Sequence, residues 1–387
     1  MVNLLLAIIY IAFISLGLPD ALLGSAWPIM HADLNVPLSF AGGISLTIAI
    51  GTVVSSLLSD RLTKWLGAGK VTAISVGMTA VALGGFSVST EYWQLLLWAI
   101  PYGLGAGSVD ASLNNYVALH YASRHMSWLH CMWGVGASIG PYVMSAALTG
   151  GMHWNTGYRI ISVFQIALTA VLLLSLPLWK KRKMGTEDGD APSAPPLGLK
   201  KVLQIPGAKE ILIAFFCYCA AEQTAILWGS TYLVIHDGLS EEAAAGFGSL
   251  FLVGLTAGRA ISGFLTYKLN DTNMIRLGQG IVVLGIVLML LPFGSVMSMA
   301  GLMLIGLGCA PIYPCVIHST PEHFGEENSQ AIIGVQMAAA YIGVCAMPPL
   351  FGLIANHISV ALLPWYLAAI TALMIFMCER LNRKHGA

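Results

Sequence analysis

Of the eighteen acids in this 387-residue sequence, only Asp20, Asp110 and Glu222 lie well inside long apolar stretches. A charge held at the centre of a lipid bilayer costs about 2.5–3.5 kcal/mol, so such residues usually face water, a partner or a bound solute. A carboxyl group there can take up and release a proton, and can accept hydrogen bonds from hydroxyl groups. The plainer alternative is a protonated acid hydrogen-bonded to a neighbouring helix, and it stays open for all three.

Other polar and aromatic residues accompany the acids at helical spacing. Asp20 follows Pro19, and Asp20, Gly24 and Trp27 share one helix face. Pro and Gly loosen the backbone there, as in discontinuous transport helices. Asp110 and Asn114 are four apart and point the same way, while Asn115 is offset toward a neighbour. His130 and Trp133, three apart, open a later apolar run. His titrates near neutral pH, and Trp can stack on a sugar ring; an interfacial His and Trp is the alternative. Glu222 and Gln223 sit mid-run, with Trp228 beyond them. Tyr313, Gln336 and Tyr341 complete the candidate solute contacts. A carboxylate with carboxamides and aromatic rings suits a neutral polyhydroxyl ligand. Asp110, Asp20 and Glu222 are the candidate proton-coupling groups.

The elements that carry these residues follow from composition. Hydrophobic residues make up 57% of the chain and charged residues 9%, against about a quarter charged in soluble domains. Thirty-six charged side chains cannot cover a soluble globule of this size. A soluble enzyme, a nucleic-acid binder and a disordered chain are excluded, and a polytopic membrane protein remains. The formal net charge of zero implies no nucleic-acid partner. All seven Cys lie in apolar runs and are expected to be buried and unpaired.

A membrane helix needs about 20 apolar residues. Twelve runs qualify: 4–30, 39–62, 69–89, 92–120, 127–150, 157–179, 209–236, 243–268, 273–293, 297–319, 329–355 and 359–379. The first is too long for a signal peptide and holds an Asp, so no cleavage is expected. One set of loops holds sixteen of the eighteen Lys and Arg residues, which places it and both termini in the cytoplasm. The polar stretch 180–208 carries a KKRK cluster, three acids and several Pro, and reads as a cytoplasmic linker. It divides the chain into a six-helix bundle over 1–180, a linker over 181–208 and a second six-helix bundle over 209–387.

The two halves repeat each other. At an offset of 203, Gly51 matches Gly254, and Gly103-Leu-Gly105 matches Gly306-Leu-Gly308. Near 205, Gly24-Ser25-x-Trp27 matches Gly229-Ser230-x-Tyr232. Duplicated halves are the signature of an alternating-access transporter with its site at the interface of the repeats. No Walker loop, H-E-x-x-H or nucleophile elbow is present, so neither an ATP motor nor an enzyme is expected.

The segment Ser59-Asp60-Arg61-Leu62, with Lys64, Gly67, Gly69 and Lys70, resembles the cytoplasmic loop motif of the major facilitator superfamily. Arg259 resembles the relic of that motif in the second half. Gly17-Leu18-Pro19-Asp20 with Pro28, Gly103 to Gly107 with Asp110 and Asn114, and Gly306-Leu-Gly308 with Pro311 and Tyr313-Pro314 resemble the sugar permeases related to fucose–proton symporters. The resemblance implies an all-α fold of twelve transmembrane helices in two pseudo-symmetric six-helix bundles. It maps sugar binding and proton coupling onto Asp20 and Asp110, and gating onto Asp60, Arg61 and Arg259.

The expected function is secondary active transport of a small polar solute, a sugar, by proton-coupled alternating access across the inner (plasma) membrane. The competing reading is a proton-coupled exporter of drugs or metabolites with the same fold, which seventeen Met and many aromatics would suit. The expected partners are the solute, protons and the lipid bilayer. The protein is expected to be a monomer without cofactor or metal.

Overall fold

The structure is a computed structural model that describes residues 2–183 and 196–385. Among these residues it is helical without strands. The helices are α1 (Val2–Gly17), α2 (Leu22–Asp33), α3 (Ala41–Leu66), α4 (Ala68–Val88), α5 (Tyr92–His120), α6 (Ser123–Thr149), α7 (Trp154–Lys183), α8 (Leu199–Val202), α9 (Ala208–Ile235), α10 (Glu241–Leu265), α11 (Asp271–Leu290), α12 (Ser295–His318), α13 (Thr320–Phe324), α14 (Glu326–His357) and α15 (Leu363–His385). With α1–α2 and α12–α13 each counted as one segment, twelve membrane-length segments result. Ten are both long and apolar enough to span a bilayer.

The segments agree with the apolar runs of the sequence and overshoot some of them. Helix α7 runs on into the basic cluster to Lys183, because backbone hydrogen bonding continues past the apolar stretch. Of the expected linker over 181–208, residues 181–183 belong to α7, Leu199–Val202 form the single turn α8, Ala208 starts α9, and residues 184–195 lie outside the described residues. Cys345 is exposed, against expectation, and the other six Cys are buried.

Two compact units are present. The first comprises Met1–Tyr116 and Leu129–Gly198, the second Val117–Trp128 and Leu199–Ala387. In the first, α4 packs along α7, and Gln165 braces it internally, accepting from Thr79 Oγ1 at 2.7 Å and donating to Ser15 O at 2.8 Å. In the second, α11 packs along α12, and α9 along α14 and α15.

The sequence repeat is realised as equivalent contacts within each unit. A Cβ added to Gly103 would lie 2.2 Å from Ile48 O, and one added to Gly306 would lie 2.7 Å from Phe251 O. Both pairs are related by the offset of 203. The same holds for Gly105 against Ser75 O and Gly308 against Gly278 O, each 2.7 Å. Small residues allow this backbone approach where there is no water to drive helices together. The glycines recur because the same close helix crossings were built twice.

Candidate functional site

Asp20 stands where the first span breaks. Proline cannot donate to the helical ladder, and between Gly17 and Leu22 the chain makes turns, with Asp20 N donating to Gly17 O and Leu22 N to Pro19 O. Gly17, Gly136 and Gly140 let this segment lie against α6. A Cβ at Gly17 would meet Trp133 O at 2.1 Å, and one at Gly140 would meet Leu18 O at 2.0 Å. This brings Trp133 Nε1 to donate to Asp20 Oδ2 at 2.8 Å, and Tyr102 Oη to donate to Oδ1 at 3.4 Å. Asp20 as a residue is nevertheless exposed. It is thus oriented by two aromatic donors and still open to a ligand.

Asp110 is half-buried on α5. One turn along the same face, Asn114 donates to Asp110 Oδ1 at 2.8 Å and to Asp110 O at 3.0 Å. His130 Nε2 lies 3.0 Å from Asn114 Oδ1 and the His130 ring meets the edge of Phe13. With the amide nitrogen donating to Asp110, its oxygen must accept, so His130 carries its proton on Nε2. The three residues form one chain of hydrogen bonds. His130 is buried. Asn114, expected to hold solute, is fully buried with both ends of its amide engaged. Its place is behind Asp110. Asn115 is buried as well.

In the second unit, Arg259 Nη2 lies 3.7 Å from Glu222 Oε2, and Tyr218 donates its hydroxyl to the same oxygen. Arg259, expected as a gating residue, is 3% exposed. A guanidinium without a nearby counter-charge would be unstable in the interior, and Glu222 supplies one. The rings of Phe215 and Tyr218 pack on Tyr313, with centroids 4.8 and 5.9 Å away, and Tyr313 Oη donates to Met337 Sδ. Gln223 and Tyr341 are half-buried.

Three other candidates have packing places. Trp27 is 4% exposed and donates Nε1 to Leu38 O at 2.7 Å. Trp228 donates Nε1 to Pro348 O at 2.9 Å and lies edge-on to Phe351. Gln336 is fully buried and accepts from Thr320 Oγ1 at 3.3 Å. Asp60 is buried, pairs with Lys64 at 3.0 Å on its own helix, and accepts from Leu197 N at 2.9 Å, while Arg61 is exposed. Among the described residues no three His, Cys, Asp or Glu gather in a metal-holding group.

Tyr102 and Tyr218 were missed in the sequence. Tyr102 precedes Asp110 by eight positions on one helix face, and Tyr218 precedes Glu222 by four. Spacing of this kind is the signal that could have found them.

The family model of the Major Facilitator Superfamily matches residues 9–348. The chain belongs to the major facilitator superfamily. This facilitator is 23% identical to bypass of stop codon protein 6 of Saccharomyces cerevisiae, covering 94% of the chain and 80% of that protein. It is 20% identical to the glucose/mannose transporter GlcP of Bacillus subtilis, over 80% of the chain and 77% of the relative. It is 24% identical to the sodium-dependent glucose transporter 1 of Danio rerio, over 93% and 66%. Its fold matches the solved E. coli fucose:proton symporter FucP with a TM-score of 0.75 at 15% identity, covering 98% of each chain. The human organic anion transporter MFSD10 matches at a TM-score of 0.72 and 12% identity, covering 96% and 98%. The facilitator is therefore a multi-pass membrane transporter and not an enzyme.

Proposed function

We propose that this facilitator moves a small neutral polyhydroxyl solute, a sugar, together with protons by alternating access in the plasma membrane, with both termini cytoplasmic. The observation that carries this reading is the exposed Asp20 at the helix break, held by Trp133 and Tyr102. A carboxylate with free lone pairs beside an indole and a phenol offers acceptors for hydroxyls and a ring face for the sugar C–H groups. Two sequence relatives named as glucose transporters support the substrate class. Gln223, Tyr313 and Tyr341 are the candidate contacts of the second unit.

Asp110 is the proposed proton-coupling group. It is only partly buried, so protons can reach it, and it is fixed from behind by Asn114 and His130. Solute bound beside it would change its access to water, and with it the exchange of its proton. Glu222, 3.7 Å from Arg259 Nη2 and accepting from Tyr218, is proposed as a member of a structural ion pair and not as the coupling group. Asp60 and Arg61 keep the gating role, with Asp60 fixing the end of α3 to the chain that follows α7.

The test is uptake by the purified protein in proteoliposomes with an imposed pH gradient, using labelled glucose, mannose and fucose. Accumulation of one of them that collapses with a protonophore supports the reading. Sugar uptake that follows a sodium gradient instead would replace the proton, and binding of apolar cations without any sugar would replace the substrate class.

A further inference from the structure

A second set of titratable groups lies apart from Asp20 and Asp110, around His318 at the end of α12. His318 Nδ1 lies 2.5 Å from Asp271 Oδ2, and Nε2 lies 3.0 Å from Tyr121 O. Ser123 donates its hydroxyl to the other oxygen of Asp271 and lies beside Cys315 Sγ. Thus the first residue of α11, the last of α12 and the turn between α5 and α6 meet at one imidazole.

Both ring nitrogens of His318 face acceptors. A backbone carbonyl can only accept, and Asp271 already accepts a hydrogen bond from Ser123 on its other oxygen. A neutral imidazole has one N–H, so one of its nitrogens would point a lone pair at an oxygen. A neutral ring beside a carboxylate therefore leaves one contact without a hydrogen; one further proton on the pair fills it, and the doubly protonated ring beside the carboxylate does so with the charges balanced. The side chains of His318 and Asp271 are 20% and 9% exposed, so protons reach the pair.

We propose that His318 is a further proton-binding site, and that its proton fastens the α5–α6 turn to α11 and α12. The other ionisable groups nearby in the fold are Glu322 on α13 and Cys315 on α12, with Tyr121, His120 and His125 on the α5–α6 hairpin. None of them replaces the missing N–H. The turn is held elsewhere by uncharged contacts, with Trp128 Nε1 near Ala260 O at 3.4 Å and its ring edge-on to Phe264, and by Arg124 over Tyr267. These contacts persist at any pH near neutral, so loss of the His318 proton loosens the turn without unfolding it. Helices α5 and α6 carry Asp110, Asn114, His130 and Trp133. The proton on His318 therefore bears on the two helices that hold the proposed site. The clasp itself stands whether or not the solute is a sugar.

The test is hydrogen exchange read by mass spectrometry on the full-length protein in nanodiscs, between pH 5.5 and 8.5, corrected for intrinsic exchange. In the wild type, protection of the 120–126 amides falls about tenfold across the histidine range as the paired charge is lost, while that of α4 stays constant. His318→Gln shows the low protection at every pH. His318→Lys, charged throughout, keeps protection without the pH step. A flat wild-type profile overturns the proposal, and so does a wild-type step that survives in His318→Gln, which would assign it to His120 or His125. The readout needs no transport, so its failure is separate from failure of the sugar reading.

Discussion

Glu222 and Arg259 face each other across 3.7 Å inside α9 and α10, with the hydroxyl of Tyr218 on the carboxylate. The pair is almost dry on the Arg259 side, so its stability depends on both members being present. Breaking a buried pair from one side costs about 3–5 kcal/mol, whereas removing both charges can be nearly neutral. Glu222→Gln and Arg259→Gln are each expected to lower the thermal midpoint in detergent clearly, and the double variant to recover most of the loss. Retention of proton-coupled uptake by the double variant is expected as well. A double variant as unstable as the worse single one would show that the pair is not what the two residues contribute.

Tyr102 holds Asp20 Oδ1 without being a charged group itself. Deleting a neutral donor to a carboxylate removes about 1.5–3 kcal/mol at most, and less where water can replace it. Because Asp20 is exposed, Tyr102→Phe is expected to weaken sugar binding roughly three- to tenfold. Isothermal titration of the purified protein measures this directly. Trp133→Phe, which removes the shorter bond and the larger ring, is expected to do more harm. Equal affinities in wild type and both variants would remove Asp20 from the binding site.

The repeated glycines predict a graded series. Ala at position 103 puts a methyl 2.2 Å from Ile48 O, and Ala at 306 puts one 2.7 Å from Phe251 O, so both force neighbouring helices apart. Gly24 in α2 has nothing within 4 Å of the added methyl. Gly24→Ala is expected to be neutral or stabilising by up to about 1 kcal/mol, as helix propensity alone dictates. Thermal melts should order the variants with Gly103→Ala lowest, then Gly306→Ala, then wild type and Gly24→Ala together.

Asp60 is buried between Lys64 and the amide of Leu197, at the end of α3 far along the chain from Asp20. Asp60→Asn keeps the size and one acceptor but loses the charge. It is expected to slow sugar uptake several-fold while leaving equilibrium affinity within a few-fold. Rates from stopped uptake and affinities from titration separate the two. A large loss of affinity at normal turnover would move Asp60 from gating to binding.

What the sequence disclosed and what it withheld divide along one line. Apolar runs gave the helices, because length and hydropathy act within a single segment. Pro19 next to Asp20 gave the break in the first span for the same reason. The glycine repeats gave the close crossings, since a missing side chain matters only where backbones meet. The identity of the opposing helix was not readable. Asn114 could be placed on the face of Asp110, yet only the arrival of His130 from α6 shows that its amide is occupied. Arg259 read as part of a loop motif, and the approach of α9 made it the partner of Glu222. Trp27 looked available because its face was known and its neighbour, the carbonyl of Leu38, was not. Asp271 and His318, 47 residues apart, carry no spacing signal at all.

Asp110 is proposed to carry the coupled proton while Asp20 orients the solute. Asn at position 110 imitates the protonated acid and cannot release a proton. The decisive measurement is Asp110→Asn in proteoliposomes, comparing counterflow exchange of labelled sugar with uphill accumulation driven by a pH gradient. Exchange is expected to continue at a rate within a few-fold of wild type while accumulation disappears, and Asp20→Asn is expected to lose both through failed binding. Full proton-driven accumulation by Asp110→Asn would contradict it.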